Sequence, residues 1–191
     1  MIIVFLGRPE SGKGTQSTML GKELGLPVFA MGDLIREARV NNGEINQAYE
    51  LYAMKGKHFP NSIKFPLLKS RLDETGNGFI LDNYPATEED VETLSAYLDG
   101  RGLSINKIFH IAISEDEVIR RMRVQHRGRL DDDESVIRER LKNQDEDRKP
   151  VIEYFRNKGV LEEINGEREI TAIHSEIMSK LGVSQREKNG L

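Results

Sequence analysis

The first sixteen residues constrain the fold more than any other part of the chain. Met1 to Leu6 are apolar, and they are followed by Gly-Arg-Pro-Glu-Ser-Gly-Lys-Gly-Thr-Gln from Gly7 to Gln16. A short apolar run rich in β-branched residues is typical of a strand buried on both faces of a parallel sheet. The spacing Gly-x4-Gly-Lys after such a strand matches a phosphate-binding loop (P-loop) that leads into a helix. This segment therefore predicts a strand, a phosphate-binding loop and a helix, in that order.

The rest of the chain alternates between strand and helix patterns, which predicts an α/β fold of three layers with a central parallel sheet of the P-loop type. The further predicted strands are residues 28–30, 78–81, 107–113 and 160–164. The predicted helices are residues 13–24, 33–55 with a break at Gly43, 62–74, 88–98, 115–125, 134–158 and 170–181. Pro150 predicts a kink or a break near Lys149 in the long charged helix. Because ligands bind at the carboxyl ends of parallel strands, Gly7, Gly32 and Asp82 are expected to converge there.

Size and charge favour one domain, spanning residues 1–191, that is not specialised for polyanions. The 191 residues include 28 Lys and Arg against 32 Asp and Glu, a net charge of −4, and no cysteine. This balance is not that of a nucleic-acid-binding protein, and the absence of cysteine excludes disulfides and thiolate metal sites. The apolar runs are too short for a membrane span. We expect a monomeric cytoplasmic protein without nucleic-acid or membrane partners.

The P-loop pattern indicates the chemistry as well as the fold. Glycines let backbone N–H groups surround the β- and γ-phosphates, and the following helix directs its positive end toward them. Lys13 adds a full positive charge and is the first predicted catalytic residue. The alternative is a glycine-rich turn without a ligand. The predicted ATP-binding residues of the loop are Gly7, Glu10, Ser11, Gly12, Lys13, Gly14 and Thr15.

Two further segments supply the charges expected around a transferred phosphoryl group. The predicted strand at 78–81 is followed by Asp82, where P-loop enzymes keep a carboxylate for the Mg²⁺ shell, although the same residue could simply start a turn. Residues 123–132, Arg-Val-Gln-His-Arg-Gly-Arg-Leu-Asp-Asp, contain three arginines and two aspartates, and Arg140 follows. Guanidinium groups stabilise the charge that spreads over phosphoryl oxygens. A solvated charged helix face is the alternative for these arginines.

Several of these segments resemble the adenylate kinase family. They are Gly-Lys-Gly-Thr-Gln at 12–16, Gly-Asp-Leu-Ile-Arg at 32–36, Gly-Phe-Ile-Leu-Asp at 78–82 and Arg-Gly-Arg-Leu-Asp-Asp at 127–132. The resemblance implies a phosphotransferase that moves the γ-phosphate of Mg²⁺·ATP to a nucleoside monophosphate. It also implies two small mobile inserts, a monophosphate-binding arm at about 31–60 and a lid at about 125–135. The lid is the short form, without the insert that binds zinc in relatives, so no zinc is expected.

The same resemblance implies a role for each residue of the site. Arg123 stacks on the ATP base, while Arg127, Arg129 and Arg140 surround the transferred phosphoryl group and are catalytic with Lys13. Asp131 and Asp132 orient the arginines. The implied monophosphate-binding residues are Met31, Arg36, Asp82, Arg129 and Arg140, and Asp82 holds Mg²⁺ through water.

The chain departs from the family pattern on the acceptor side. Met31, Ala86 and Asp90 stand where the family has Thr, a phosphate-binding Arg and an adenine-binding Gln. A lost Arg–phosphate contact costs roughly 1.5–3 kcal/mol. If Asp90 meets the base, its carboxylate suits the two donors of guanine, which predicts weak discrimination between AMP and GMP and partial recovery of AMP use in Ala86→Arg/Asp90→Gln. The alternative is that Asp90 belongs to a solvated first helical turn.

A fourth departure lies in the P-loop, where Glu10 replaces a glycine. A positive φ at this position would strain the glutamate backbone. Its carboxylate, which we expect to point away, would also lie near the bound triphosphate.

Three functional hypotheses remain from sequence. The first is an active nucleoside monophosphate kinase, most simply one for AMP. The second is a nucleotide-dependent switch or scaffold that binds ATP without transfer, and the third is an ATPase of unrelated role. The arginine set favours the first, since a protein that only binds ATP has no need of three cations around a transferring group.

Overall fold

Five parallel strands form one sheet in the order β2-β3-β1-β4-β5. The computed structural model describes residues 1–53, 57–125 and 134–183. The strands are β1 Ile2–Gly7, β2 Val28–Ala30, β3 Phe79–Asp82, β4 Lys107–Ala112 and β5 Leu161–Asn165. In the register of the sheet, Phe5 pairs with both Asp82 of β3 and Phe109 of β4. The predicted parallel sheet is confirmed.

Helices follow the strands almost as the periodicity predicts. They are α1 Lys13–Leu24, α2 Met31–Asn41, α3 Gly43–Ala48, α4 Asn61–Asp73, α5 Glu88–Asp99, α6 Glu115–Gln125, α7 Glu134–Asn157 and α8 Ile170–Lys180, with a π-helical turn at Tyr49–Ala53. The break expected at Gly43 has a local cause. The side chain of Asn42 accepts hydrogen bonds from the backbone N–H groups of Glu44 and Ile45 and so caps a new helix. Among the described residues, no helix is long and apolar enough to cross a bilayer.

The two faces of the sheet are covered by separate layers of helices. Alternate residues of β1 enter two core clusters, with Val4 in one and Phe5 in the other. The first cluster includes buried side chains of α2, α4, α5 and α7, and the second includes those of α1 and α8. This alternation follows from the two-residue period of a strand. The architecture is therefore the predicted three-layer α/β/α sandwich.

The predicted break at Pro150 is wrong, because α7 continues through this residue to Asn157. The alternative, a kink within the helix, stays a prediction. A proline inside a helix costs about 3 kcal/mol. One and five residues after it, Val151 and Phe155 are buried in the first core cluster. Burial of each such side chain contributes roughly 1.5–3 kcal/mol, enough together to offset the proline. Core packing therefore outweighs local propensity at this position.

The order of the strands determines where a ligand can bind. The chain runs from β1 to β2 and β3 on one side of the sheet, and then to β4 and β5 on the other. Strand β1 is thus a topological switch point, and crevices form at the carboxyl ends of the strands at such points. The predicted P-loop leaves the sheet at this end of β1.

Candidate active site

The loop between β1 and α1 depends on two glycines that other residues could not replace. A Cβ atom at Gly7, whose φ is 153°, would lie 2.5 Å from the carbonyl oxygen of Ile111. Gly12 has a φ of 90° and forms the N-cap of α1. Glycine adopts such left-handed backbone without steric cost. The spacing of the motif therefore corresponds to two real backbone requirements.

Glu10 adopts the strained backbone that sequence analysis considered, with a φ of 59°. Its carbonyl oxygen accepts a hydrogen bond of 3.0 Å from Nη1 of Arg121, and Nη2 of the same arginine donates to the carbonyl oxygen of Gly166. Arg121 thus holds the loop against the segment that follows β5. These contacts stabilise a conformation that costs a non-glycine residue about 1–2 kcal/mol.

Lys13 begins α1 and turns its ammonium group back under the loop. Its Nζ donates a hydrogen bond of 3.1 Å to the carbonyl oxygen of Arg8. The residue as a whole is half-buried, but burial around the ammonium group lowers the pKa of Lys13, and the nearby Asp82 carboxylate partly opposes this. A bound phosphate would stabilise the charged form further. Within the described ranges, no carboxylate is paired with the ammonium group of Lys13, which is therefore available to an anionic ligand.

Asp82 ends β3 beside the first turn of α1. Asp82 is only 7 % exposed. Its Oδ2 lies so close to α1 that a Cβ atom at Gly14 would be 3.3 Å from it. Its Oδ1 atom is buried and has no hydrogen-bond partner among the residues that the structure describes. Burial raises the pKa of Asp82, while Lys13 lowers it and Asp33 raises it. A buried carboxylate oxygen without a partner next to a phosphate loop fits a ligand that brings its own donors or a hydrated cation.

One cavity of about 1150 Å³ joins most of the predicted site residues. The predicted residues that line it are Glu10, Ser11, Gly12, Lys13, Gly14, Thr15, Arg36, Asp82 and Arg123. Gly32 lines it as well, so the expected convergence at the strand ends is confirmed for Gly32 and Asp82, while Gly7 is not among the lining residues. Met31 is buried in the first core cluster, and neither Met31 nor Arg140 is among the lining residues.

Two exposed arginines line the cavity, one in the predicted arm and one just before the predicted lid. On the arm, Arg36 is exposed and forms an ion pair with Asp33 one helical turn earlier. At the entrance to the lid, the exposed Arg123 forms an ion pair with Glu134, the first residue of α7. The predicted residues Arg127, Arg129, Asp131 and Asp132 lie outside the described part of the chain, as does most of the predicted lid at 125–135.

Comparison with known proteins agrees with this geometry. The family model described as adenylate kinase matches residues 5–160. The chain is 38% identical over 158 residues to an adenylate kinase of Mycobacterium sp. (strain MCS), covering 82% of this chain and 86% of the relative. It is 31% identical over 183 residues to an adenylate kinase of Kocuria rhizophila, covering 94% and 97% of the two chains. An adenylate kinase of Corynebacterium urealyticum is 37% identical over 161 residues, or 83% of this chain and 87% of the relative.

The chain belongs to the adenylate kinase family. The matched segment includes the P-loop, the arm, Asp82 and the segment at 123–132. Adenylate kinases are nucleoside monophosphate kinases, and the chain is therefore an enzyme that transfers phosphoryl groups.

At position 90 the structure corrects the sequence-based interpretation. Asp90 has no exposed surface, and its Oδ2 accepts a 2.5 Å hydrogen bond from Nζ of Lys64, whose side chain is 4 % exposed. The same oxygen accepts from the backbone N–H groups of Ala86 and Thr87. The carboxylate is thus bound inside the protein and is not among the groups that line the cavity.

The alternative interpretation of Asp90, a solvated first turn, is also wrong in one respect. Asp90 does lie in the first turn of α5, where it forms a capping box with Thr87. It is not solvated, because Lys64 of α4 covers it. Since Ala86 is buried as well, the variant Ala86→Arg/Asp90→Gln would crowd one site and break an ion pair. Recovery of AMP use by this variant is therefore not expected.

Three basic residues of this adenylate kinase family member were missed by sequence analysis. Arg121 lines the cavity, Lys64 neutralises Asp90, and Arg148 is buried near Lys13 and lowers its pKa. Arg121 has a usable local signal, because Glu117 lies four residues before it and pairs with it at 2.6 Å. Arg148 has a local partner of the same kind, since Asp145 lies three residues before it on α7. The partner of Lys64 comes from another helix, so no spacing in the sequence indicates it.

Proposed function

We propose that this protein transfers the γ-phosphate of Mg²⁺·ATP to AMP, so that ATP and AMP give two molecules of ADP. The observation that supports this most strongly is the extent of the cavity. Its volume of about 1150 Å³ is larger than the roughly 300–1,000 Å³ of most small-molecule sites. The phosphate loop with Lys13 lines one part, and Arg36 of the arm lines another. This arrangement suits two nucleotides whose phosphates meet beside Asp82.

The residues along the cavity suit phosphoryl transfer between two phosphate oxygens. An oxygen of the AMP phosphate attacks the γ-phosphorus, and the bond to the oxygen bridging the β- and γ-phosphates breaks. The acceptor oxygen is already ionised, so no general base is required. Charge spreads over the equatorial oxygens, where Lys13 and the predicted lid arginines would stabilise it. Arg36 would hold the acceptor phosphate.

Asp82 fits the part of a ligand to hydrated Mg²⁺. The unpartnered Oδ1 atom is buried at the end of β3, next to the loop that would hold the triphosphate. The described residues contain no group of three or more His, Cys, Asp or Glu side chains suited to a metal ion. Any Mg²⁺ held at the described part of the site would therefore be shared with phosphate oxygens and water. When bound, Mg²⁺ neutralises phosphate charge.

AMP is the acceptor that we favour. A carboxylate facing the base would prefer guanine, but that of Asp90 is buried and neutralised by Lys64. The reason for expecting weak discrimination between AMP and GMP is thereby removed. The three relatives named above are all adenylate kinases.

The test is a product assay with ATP and each of AMP, GMP, CMP and UMP, against ATP alone, followed by ³¹P NMR. We expect ATP and AMP to be consumed in equal amounts as ADP forms. We also expect kcat/KM for AMP to be at least tenfold above that for GMP. Equal use of AMP and GMP would overturn the acceptor assignment. Inorganic phosphate from ATP alone, at the same rate with and without AMP, would indicate an ATPase, and binding of ATP without any product would indicate a switch.

A further inference from the structure

The phosphate loop is attached to α7 through the side chain of Arg8. Its Nε and Nη2 donate to Oδ2 of Asp145 at 2.9 and 2.6 Å, and its Nη1 donates to the carbonyl oxygen of Ile113 at 3.0 Å. The Arg–carboxylate contact therefore uses two nitrogens of the guanidinium, which fixes orientation as well as distance. These contacts join residues that are 137 positions apart in the chain.

Asp145 is shared with a second arginine. Nη1 of Arg148 donates to its Oδ1 atom at 2.6 Å, and Arg148 is only 4 % exposed. Two guanidinium groups and one carboxylate leave this cluster with a net charge of about +1, since arginine keeps its proton even when buried. Asp145 is thus the hydrogen-bonded counter-charge for two cations beside the loop.

The backbone of Arg8 links this cluster to Lys13. The carbonyl oxygen of Arg8 accepts from Nζ of Lys13 at 3.1 Å and from the backbone N–H of Ser11 at 3.3 Å. The residue whose side chain binds α7 therefore also sets the turn of the loop and the resting position of Lys13.

Helix α7 carries a second predicted catalytic cation. Arg140 lies five residues before Asp145 on this continuous helix, or about 7.5 Å along its axis at 1.5 Å per residue. A contact between Arg8 and Asp145 consequently fixes the distance between the phosphate loop and the part of α7 that bears Arg140.

We propose that Arg8, Asp145 and Arg148 form a positioning clamp, which holds the phosphate loop and α7 in the relative placement that phosphoryl transfer requires. This inference rests on the proposed function, because it concerns the same reaction. None of the three residues needs to touch the substrates. The clamp acts through Lys13 and Arg140.

The variant Asp145→Asn separates positioning from charge. It keeps the shape of the side chain but loses the ionic bonds, so the loop and α7 can shift relative to each other. A displacement of about 1 Å at a reacting centre can cost a hundredfold in rate, and we expect kcat to fall roughly ten- to hundredfold. The local charge becomes more positive by one unit, so KM for ATP should stay the same or fall. A merely structural defect would not lower kcat while preserving or improving KM.

Glu162→Gln is the matched control. Glu162 pairs with Lys107 at 2.7 Å with side chains 28 % and 29 % exposed, close to the 31 % and 24 % of Asp145 and Arg8. This pair joins β4 and β5 away from the cavity, and its loss should leave kcat within about twofold of the wild type. Arg8→Lys keeps the charge but loses the two-nitrogen contact, and it should show a smaller decrease in kcat than Asp145→Asn. If Asp145→Asn does not fold, Arg8→Lys takes its place as the test.

Hydrogen–deuterium exchange of the backbone amides of residues 8–15 supplies a measurement that is independent of activity. We expect faster exchange in Asp145→Asn than in Glu162→Gln. The clamp is overturned if kcat and exchange in Asp145→Asn match those of the control, or if KM for ATP rises in proportion to the loss of kcat. If the wild type shows no transfer to AMP, the proposed function fails, and the exchange rates alone decide whether the clamp holds the loop.

Discussion

The phosphate loop holds its predicted catalytic cation with a backbone carbonyl group, whereas the helices that follow the predicted arm hold a buried cation with a carboxylate. Lys13 donates to the carbonyl oxygen of its near neighbour Arg8. Lys64 of α4 is bound by Asp90 of α5, 26 residues away. A contact with local backbone does not require a second charged side chain, whereas a buried ion pair depends on both of its members. Substitution of Lys13 is therefore expected to reduce activity without loss of the fold, and substitution of Lys64 to reduce stability first.

Lys13→Ala should have the largest effect on activity. The ammonium group is the one full positive charge that the motif itself supplies to the triphosphate, and loss of such electrostatic stabilisation costs roughly 10²–10³ in kcat or more. The melting temperature should change little, because Lys13 makes a single hydrogen bond. A coupled assay and circular dichroism measure both. Lys22→Ala, in the last turn of the same helix, is the control and should be fully active. Near-normal turnover of Lys13→Ala would remove the P-loop assignment.

In α4, Lys64→Met should reduce the free energy of unfolding by about 3–5 kcal/mol, because it leaves the Asp90 carboxylate buried without its cation. The double variant Lys64→Met/Asp90→Asn removes both charges, while the amide oxygen can still accept from Ala86. Its destabilisation should be smaller than the sum for the two single variants.

Urea unfolding of the four proteins gives the coupling free energy of this pair. Lys69→Met is the control, because Lys69 and Asp73 form a pair with both side chains 48 % exposed. Exposed pairs contribute about 0–1 kcal/mol. Additive effects of Lys64→Met and Asp90→Asn would show that the two residues do not stabilise the protein as a pair.

The pH dependence of kcat/KM for ATP sharpens the comparison further. Asp82 must be ionised, and its raised pKa moves the loss of activity on the acidic side above the ordinary aspartate range near about 4. Lys13 must be protonated, and its lowered pKa moves the loss on the alkaline side below the ordinary lysine range near about 10.4. In kcat, the alkaline loss should shift to higher pH, since bound triphosphate stabilises the ammonium group. If the loss of activity at acidic pH is unchanged in Asp82→Asn, another group is responsible for that loss.

The smallest effect is expected within the P-loop itself, at Glu10. Glu10→Gly and Glu10→Ala both remove the carboxylate, but only glycine relieves a φ of 59°. The glycine variant should be more stable than the alanine variant by about 1 kcal/mol. Both should lower KM for ATP severalfold, because a negative charge near the triphosphate is lost. Equal stability of the two variants in thermal unfolding would show that the loop relaxes this strain without help from glycine.

The fold and the donor side could be predicted in detail from local pattern. The predicted limits of α1 and α6 agree with the structure at both ends. Helix periodicity, strand hydrophobicity and the glycine spacing of the loop all act over a few residues, so they are visible in a single sequence. The same holds for Glu10, whose positive φ follows from a position that suits glycine.

What the sequence determined by itself is thus a P-loop kinase fold, the loop around Lys13, and a carboxylate at the end of β3. Only the tertiary structure decided that Asp90 lies inside the protein against Lys64, that α7 continues through Pro150, and that Arg8 meets Asp145. Each of these depends on side chains brought together from distant parts of the chain, where burial and charge pairing outweigh local preference. A charge pair of this kind leaves no periodic trace, because its spacing in the chain is set by the path of the fold.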